Sequence, residues 1–213
     1  MLLALHDKKG TVLSSASISL PYGLPAAVLM ELTLSSRLAI NNKKLVIIDT
    51  TPTGDDILDE ALIKIKQSKR KKGPKHWVSK LGIKDLRARL LNRLVDRGIL
   101  RGEQYKILWI IPSQCYKTKD ANMKQKVTER IRTAVFGRST SDPRTLVLIS
   151  LVNACGLIDK IFSREERKDA QKRIKELVKS DLIGKAVSDT VAGIQAAIIA
   201  TCAASVTAAS SSS

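Results

Sequence analysis

Basic side chains are concentrated in one part of this sequence. Between Lys64 and Lys106 there are fifteen lysines and arginines but only three acidic residues, so this segment carries +12 of a formal net charge of +17. Globular domains usually sit much closer to neutrality, because like charges repel one another. A solvated face with a flexible loop is one explanation, and an anion-binding face is the other. The concentration of charge favours the anion-binding face.

The best-ordered basic residues are predicted to be Lys84, Arg87 and Arg89, on an amphipathic helix over 84–97. Residues three apart lie one helical turn from each other, so Lys84 and Arg87 would face the same ligand. A helix N-terminus adds free backbone N–H groups and the positive end of the helix dipole, which suit a phosphate. The ligand expected here is a phosphate-bearing polyanion, which could be a nucleic acid, an anionic membrane or a phosphorylated head group. The supporting basic surface is predicted to comprise Lys69, Arg70, Lys71, Lys72 and Arg93.

Three aromatic residues are candidates for contact with a membrane or with another subunit. Trp77 is either an interfacial anchor or a packing residue, and the sequence leaves both open. The segment around Trp109 and Tyr116 is predicted to form a hairpin that touches a membrane or a second copy of the chain. Aromatic residues make up only 3% of the chain. That argues against readers of single-stranded nucleic acid, which stack bases on aromatic side chains.

The residues that usually carry catalysis or bind metals form no recognisable constellation. The adjacent carboxylates at 55–56 and 165–166 lie at predicted helix starts, where they stabilise helices without converging. Cys115, Cys155 and Cys202 form no CxxC motif, and the two histidines lie far apart. We therefore expect no enzyme activity, no metal and no cofactor. Cys155 and Cys202 are predicted to be small core residues in a reducing cytoplasm.

Hydrophobic periodicity predicts a mainly α fold with one or two short β-hairpins around a central buried helix. We expect a single helical domain over 1–205 and a Ser-rich flexible tail over 206–213. Pro21, Gly23 and Pro25 are predicted to interrupt regular structure before a helix that starts at Ala26. Further helices are predicted after a cap at Thr53 or Asp55 and over 84–97, 121–136, 144–162, 163–179 and 187–204. Hairpins are predicted around 40–48 and 102–116.

The C-terminal region has no charged residue from Thr190 to Ser213. It is long enough to cross a membrane, but Ala, Ser and Thr make it only weakly hydrophobic. We therefore predict a buried or half-buried helix in this region.

Several segments together resemble the Golgi phosphoprotein 3 family, in one order along nearly the whole chain. They are LLALHDKKG at 2–10, LTLSSRL at 32–38, PTGDDILDEAL at 52–62, LRARL at 86–90, LVDRGIL at 94–100 and the apolar stretch 146–162. The Pro-Thr-Gly-Asp and Leu-Val-x-x-Gly-x-Leu segments are the most specific in combination. The chain resembles a compact member of the type found in prokaryotes.

The resemblance implies a helical domain with a protruding hairpin that acts as a peripheral membrane protein on the cytoplasmic side. Eukaryotic members bind phosphatidylinositol 4-phosphate and the cytoplasmic tails of glycosyltransferases. Their two basic head-group residues on the mid-chain helix correspond here to Lys84 and Arg87. The arginine of their Gly-Leu-Arg segment corresponds to Pro25, and their early tryptophan falls near Ala16. Half of the family's head-group pocket is therefore replaced in this sequence.

Three partners follow from these observations. The first is an anionic phospholipid membrane, and the chain would then be a non-enzymatic lipid-binding protein. The second is an acidic peptide or a membrane-protein tail held by an adaptor, which could itself be a homo-oligomer. The third is nucleic acid, and it is disfavoured because no short helix with a defined turn precedes the basic helix.

Overall fold

Helices dominate the structure, a computed structural model that describes residues 1–107, 111–137, 142–179 and 185–210. Within these ranges the chain is mainly α with two antiparallel hairpins, as predicted. Short 3₁₀ turns lie at Leu2–Ala4 and Ile158–Lys160. The helices are α1 (Ser14–Ser17), α2 (Leu20–Leu34), α3 (Asp56–Lys66), α4 (Pro74–Lys80), α5 (Leu86–Asp96), α6 (Ala121–Phe136), α7 (Pro143–Ala154), α8 (Arg167–Lys179) and α9 (Lys185–Ser210).

The main core forms around α2, α7 and α9. Helix α9 packs against α2, α4 and α7, and α2 also packs against α3, α4 and α7. Leu29 and Leu32 of α2, Ile149 of α7 and Ile194 and Ile198 of α9 are fully buried. Helices α2 and α7 are apolar on most sides, which is typical of helices surrounded by other elements.

Helix α2 begins earlier than predicted. It starts at Leu20 and includes Pro21, Gly23 and Pro25, so the predicted interruption before Ala26 is wrong. Pro21 lies in the first turn, where a backbone N–H has no helical acceptor in any case. Pro25 forgoes one hydrogen bond one turn further on. Burial of Leu24 and Ala26 in the core offsets that loss.

The first hairpin pairs β1 (Leu38–Asn41) with β2 (Lys44–Ile47), which confirms the prediction for this region. Asn42 and Lys43 form the turn, with φ of 48° and 60°. Two positive φ values are typical of the tight turn whose twist matches that of its strands. On the outer side of β1, the N–H of Ile40 donates to Thr190 Oγ1 of α9 at 2.9 Å. Helix α9 therefore occupies that edge of the sheet.

The second hairpin pairs β3 (Leu100–Ile107) with β4 (Ile111–Thr118). Its base contributes Leu100 and Tyr116 to a second, smaller hydrophobic cluster with Leu5 and Leu91. The backbone N–H of Tyr116 donates to the carbonyl of Gly10 at 2.8 Å, which ties the N-terminal turn to β4.

The end of α7 differs from the prediction, whereas the hydrogen bond before α8 is typical of a helix start. Helix α7 ends at Ala154, eight residues before the predicted end, because Gly156 adopts a left-handed φ of 67° and the chain turns. Beyond it, the N–H of Ser163 donates to Glu166 Oε2 at 2.9 Å, as expected of a capping box. Helix α8 begins one residue after that glutamate.

Helix α9 continues past residue 206, where the predicted tail starts, and reaches Ser210. Its Val187–Thr207 stretch is long and apolar enough to cross a membrane, as are many core helices of soluble proteins. Ile194 and Ile198 are buried, whereas Ile199 and Val206 are about half exposed. The half-buried helix predicted from the composition is therefore present.

Candidate anion-binding site

The site is built on the loop that connects α4 to α5. Leu81 and Ile83 are buried and anchor this loop, whereas the next residue, Lys84, is exposed. Lys64 Nζ of α3 donates to the carbonyl of Gly82 at 2.6 Å, which fixes the loop from the opposite side. Asp85 then takes a left-handed φ of 51° and leads into the helix. Lys84 therefore precedes α5 rather than lying on it, which corrects the predicted helix start.

The first turn of α5 leaves donors available. Asp85 occupies the N-cap position but its side chain makes no capping hydrogen bond, and no acidic residue lies in the first turn. The initial N–H groups of a helix have no intrahelical acceptor, so an uncapped start attracts anions. Arg87 projects from this turn and is exposed. Neither Lys84 nor Arg87 forms an ion pair within the described part of the chain.

Arg87 separates two shallow cavities, which we call the Arg87 clefts, of about 250 Å³ each. Both are also lined by Pro21 and Leu24 at the start of α2. One cleft continues to Val12, Ser17 and Leu20, and the other to Pro25, Val78, Ser79, Leu81, Gly82, Ile83 and Leu86. The early start of α2 therefore forms one wall of the site. The sequence did not predict this wall, because the helix was expected to begin only at Ala26.

Two of the four positions matched by the family resemblance, Arg87 and Pro25, line these clefts. Pro25 lines one cleft beside Arg87. Ala16 is itself buried, but the next residue, Ser17, lines the other cleft. Pro25 and Ala16 bring neither a charge nor a side-chain hydrogen-bond donor. The polar side chains that line these clefts are thus those of Arg87, Ser17 and Ser79, and Lys84 lies nearby in sequence.

Arg89 and Arg93 face α3 rather than solvent. Arg89 pairs with Asp56 and, at 2.5 Å, with Glu60. Arg93 pairs with Asp56 and, at 2.8 Å, with Asp55, whose carboxylate also caps α3. These guanidinium groups hold the pKa values of the three carboxyls below their usual range. The charge of Arg89 and Arg93 is therefore offset within the chain, and both residues connect α5 to α3.

Acidification should weaken this connection. Carboxyls with a lowered folded-state pKa stabilise the fold fully above their unfolded values of about 4, and this contribution disappears as the pH falls below them. We expect the free energy of unfolding, measured by urea titration, to fall between pH 5 and pH 3. The Arg89→Met/Arg93→Met variant should show a shallower fall. The control is Arg144→Met, which removes a separate pair with Glu31. If the free energy of unfolding of this control fell with pH as shallowly as that of the double variant, the assignment would be contradicted.

Most of the other basic residues of the charged segment form no ion pair in the described part of the chain. In the described ranges ten of the fifteen form no ion pair, and nine of these ten are exposed. They are Lys66, Lys69, Arg70, Lys71, Lys72, Lys75, Lys80, Lys84, Arg87 and Arg97. The predicted supporting residues at 69–72 are among them, whereas Arg93 is not. The side chain of Lys106 lies outside the described residues.

Two of the three aromatic candidates, Trp77 and Tyr116, are buried. Trp77 is 5% exposed and packs in the main core, which matches the packing alternative. Tyr116 is 7% exposed because the second cluster surrounds it, so its ring is not available for the predicted membrane or subunit contact. Trp109 lies outside the described residues.

The described ranges bring together no group of histidine, cysteine or acidic side chains suited to a metal. Cys155 is buried, and this burial raises the pKa of its thiol to about 11, so the thiol is protonated and unreactive at neutral pH. Cys202 is half-buried.

The fold and the charge distribution place the chain among mainly helical domains with a strongly basic surface. The family model for Golgi phosphoprotein 3 (GPP34) matches residues 1–194, so the chain belongs to the Golgi phosphoprotein 3 family. A curated relative, vacuolar protein sorting-associated protein 74 of Eremothecium gossypii, is 24% identical over 218 residues. The match covers 84% of this chain and 65% of that relative's length.

Proposed function

We propose that this protein is a non-enzymatic peripheral membrane protein that binds anionic lipid head groups at the Arg87 clefts. The observation that carries the proposal is Arg87 itself. It is exposed, lacks an ion-pair partner in the described part of the chain, and projects from an uncapped helix start between two cavities. Lys84 adds a second positive charge three residues earlier.

Membership of the Golgi phosphoprotein 3 family supports a phosphoinositide such as phosphatidylinositol 4-phosphate as the head group. The relative's name connects it with vacuolar protein sorting, which supports a role at the cytoplasmic face of an internal membrane. Membrane-protein tails and further copies of the chain are the proposed protein partners. Because Pro25 stands where the family pocket has an arginine and its tryptophan falls near Ala16, we expect charge to contribute more than head-group stereochemistry.

Vesicle sedimentation tests this function. We expect the protein to sediment with phosphatidylcholine vesicles that contain phosphatidylinositol 4-phosphate or phosphatidylserine, and to remain in solution with phosphatidylcholine alone. Each basic residue near an anionic surface contributes about 1 kcal/mol, and salt screens this attraction. Raising salt from 0.1 M to 0.5 M should therefore release most of the bound protein. Equal sedimentation with neutral vesicles would overturn the proposal.

A further inference from the structure

A separate groove lies between β2 and the loop that follows α3. It has a volume of about 490 Å³, larger than either of the Arg87 clefts. One wall is residues 45–50, the other is the end of α3 with Ser68 and residues 70–72, and Trp77 also lines it. None of these residues lines the Arg87 clefts. We call this cavity the β2 groove.

The β2 groove has an excess of positive charge. Lys66, Arg70, Lys71 and Lys72 line it, and none of the four forms an ion pair in the described part of the chain. Its acidic residue, Asp49, pairs with Arg37 and accepts hydrogen bonds from Thr51, so its charge is offset locally. An anionic partner therefore meets four uncompensated cations along one side.

The other side of the groove is apolar and belongs to a strand edge. Val46, Ile47 and Ile48 line it, and Ile48 is 61% exposed. In an antiparallel hairpin, residues that hydrogen-bond to the other strand alternate with residues whose backbone groups face outward. The tight turn at 42–43 and the hydrogen bond from the N–H of Ile48 to the carbonyl of Arg37 establish which residues are which. Leu45 and Ile47 are then the residues whose backbone groups face away from β1.

A hydrogen bond confirms this direction for Leu45. Its N–H donates outward to the carbonyl of Lys72 at 2.9 Å, so the loop already pairs with β2 at that point. Ile47 lies two residues later, so its N–H and carbonyl also face away from β1 and toward the groove. An edge with outward donors and acceptors is a template for an added strand.

We propose that the β2 groove binds an extended acidic peptide, which adds as a strand along β2 at Ile47. Acidic side chains on one face of the peptide would meet the four lining cations, Lys66, Arg70, Lys71 and Lys72, and apolar side chains on the other would contact the wall at 46–48. Strand addition of this kind gains affinity from main-chain hydrogen bonds and specificity from alternate side chains. This interaction goes beyond lipid binding and uses residues outside the Arg87 clefts.

Two observations favour a peptide over a lipid head group at this groove. Main-chain donors and acceptors at Ile47 match another backbone, and the apolar wall matches side chains better than a polar inositol ring.

Fluorescence anisotropy with labelled peptides tests the inference on the full chain. The probes are a fluorescein-labelled ten-residue peptide of alternating Glu and Val, the corresponding Lys/Val peptide, and the Glu/Val peptide methylated at alternate backbone nitrogens. We expect saturable binding of the Glu/Val peptide and at least about tenfold weaker binding of the other two. If the methylated peptide bound with the same affinity as the unmethylated one, strand addition would be overturned. This comparison changes only the peptide, so the folding of the protein is not affected.

Charge reversal at the groove provides the second arm. Arg70→Glu/Lys71→Glu should weaken Glu/Val peptide binding at least about tenfold, because rim charges attract the partner. Lys126→Glu/Lys168→Glu carries the same net change on α6 and α8 and should bind almost as the unmodified protein does. Equal losses in both variants would overturn the groove assignment.

The variants also separate this proposal from lipid binding. Lys84→Ala/Arg87→Ala should keep its affinity for the Glu/Val peptide. If the unmodified protein does not bind the peptide but Arg70→Glu/Lys71→Glu selectively loses anionic vesicles, the groove faces a membrane and the peptide proposal fails. Loss of vesicle binding in Lys84→Ala/Arg87→Ala with peptide binding retained would support both proposals.

Discussion

Binding to vesicles that contain phosphatidylinositol 4-phosphate is expected to weaken about 30-fold when Lys84 and Arg87 are both replaced by alanine. The figure follows from about 1 kcal/mol for each basic side chain near the surface, since 1.4 kcal/mol corresponds to a tenfold change. Both side chains are exposed and form no ion pair in the described ranges. Their removal should therefore leave folding intact, and sedimentation measured at 0.1 M salt reports binding alone.

The matched control is Lys126→Ala/Lys168→Ala, which removes the same net charge from α6 and α8. These lysines are also exposed. If binding is local to the Arg87 clefts, the control should keep an affinity within about threefold of that of the unmodified protein. The reason is that salt at this concentration screens long-range attraction. Equal losses in the two variants would show that total charge, rather than the Arg87 clefts, governs attachment. Circular dichroism should confirm that both variants are folded.

Gly10→Ala is expected to destabilise the fold strongly. Gly10 has a φ of 65°, and a Cβ atom there would lie 2.7 Å from the backbone N and C atoms of Tyr116. An L-residue in this conformation costs about 1–2 kcal/mol. Displacement of β4 adds to this cost, because the neighbouring atoms are backbone and cannot rotate away. We expect a loss of about 3 kcal/mol, which lowers the Tm of a chain of this size by about 6–12 °C.

Gly98→Ala separates the two contributions. Gly98 has a similar φ of 69°, but a Cβ atom there meets no other atom within 4 Å. Only the conformational cost of about 1 kcal/mol then applies. Thermal unfolding followed by circular dichroism should give a clearly larger shift for Gly10→Ala. Similar shifts for both variants would mean that the contact between Gly10 and β4 contributes little.

Local signals in the sequence were sufficient for much of the fold. The hairpin predicted around 40–48, the cap predicted at Thr53 or Asp55 and the helix predicted over 121–136 each depend on neighbouring residues. The structure confirms the hairpin and the helix and places the cap at Asp55. The start of α2 could not be predicted in the same way. Pro21 and Pro25 interrupt helices on average, and only burial of that segment in the core reverses this preference.

The candidate site, too, could be predicted only in part. The sequence identifies the concentration of basic residues, but it does not show which charges are already paired. Arg89 and Arg93 find their carboxylates about thirty to forty positions away, on α3, whereas Arg87 on the same helix does not. Likewise, the β2 groove depends on contact between a strand and a loop more than twenty residues apart, so no local pattern reveals it.

The hydrogen bond between Ile40 and Thr190 has a consequence for biosynthesis. Its partners are 150 residues apart, so the hairpin emerges from the ribosome long before α9 can shield β1. At about 5–20 residues per second, the interval is roughly 8–30 s. During this time the β1 edge of the nascent hairpin and the face of α2 that packs against α9 lack their final cover. Cotranslational capture by a chaperone would therefore act mainly before α9 is made, and native packing of the core is completed late.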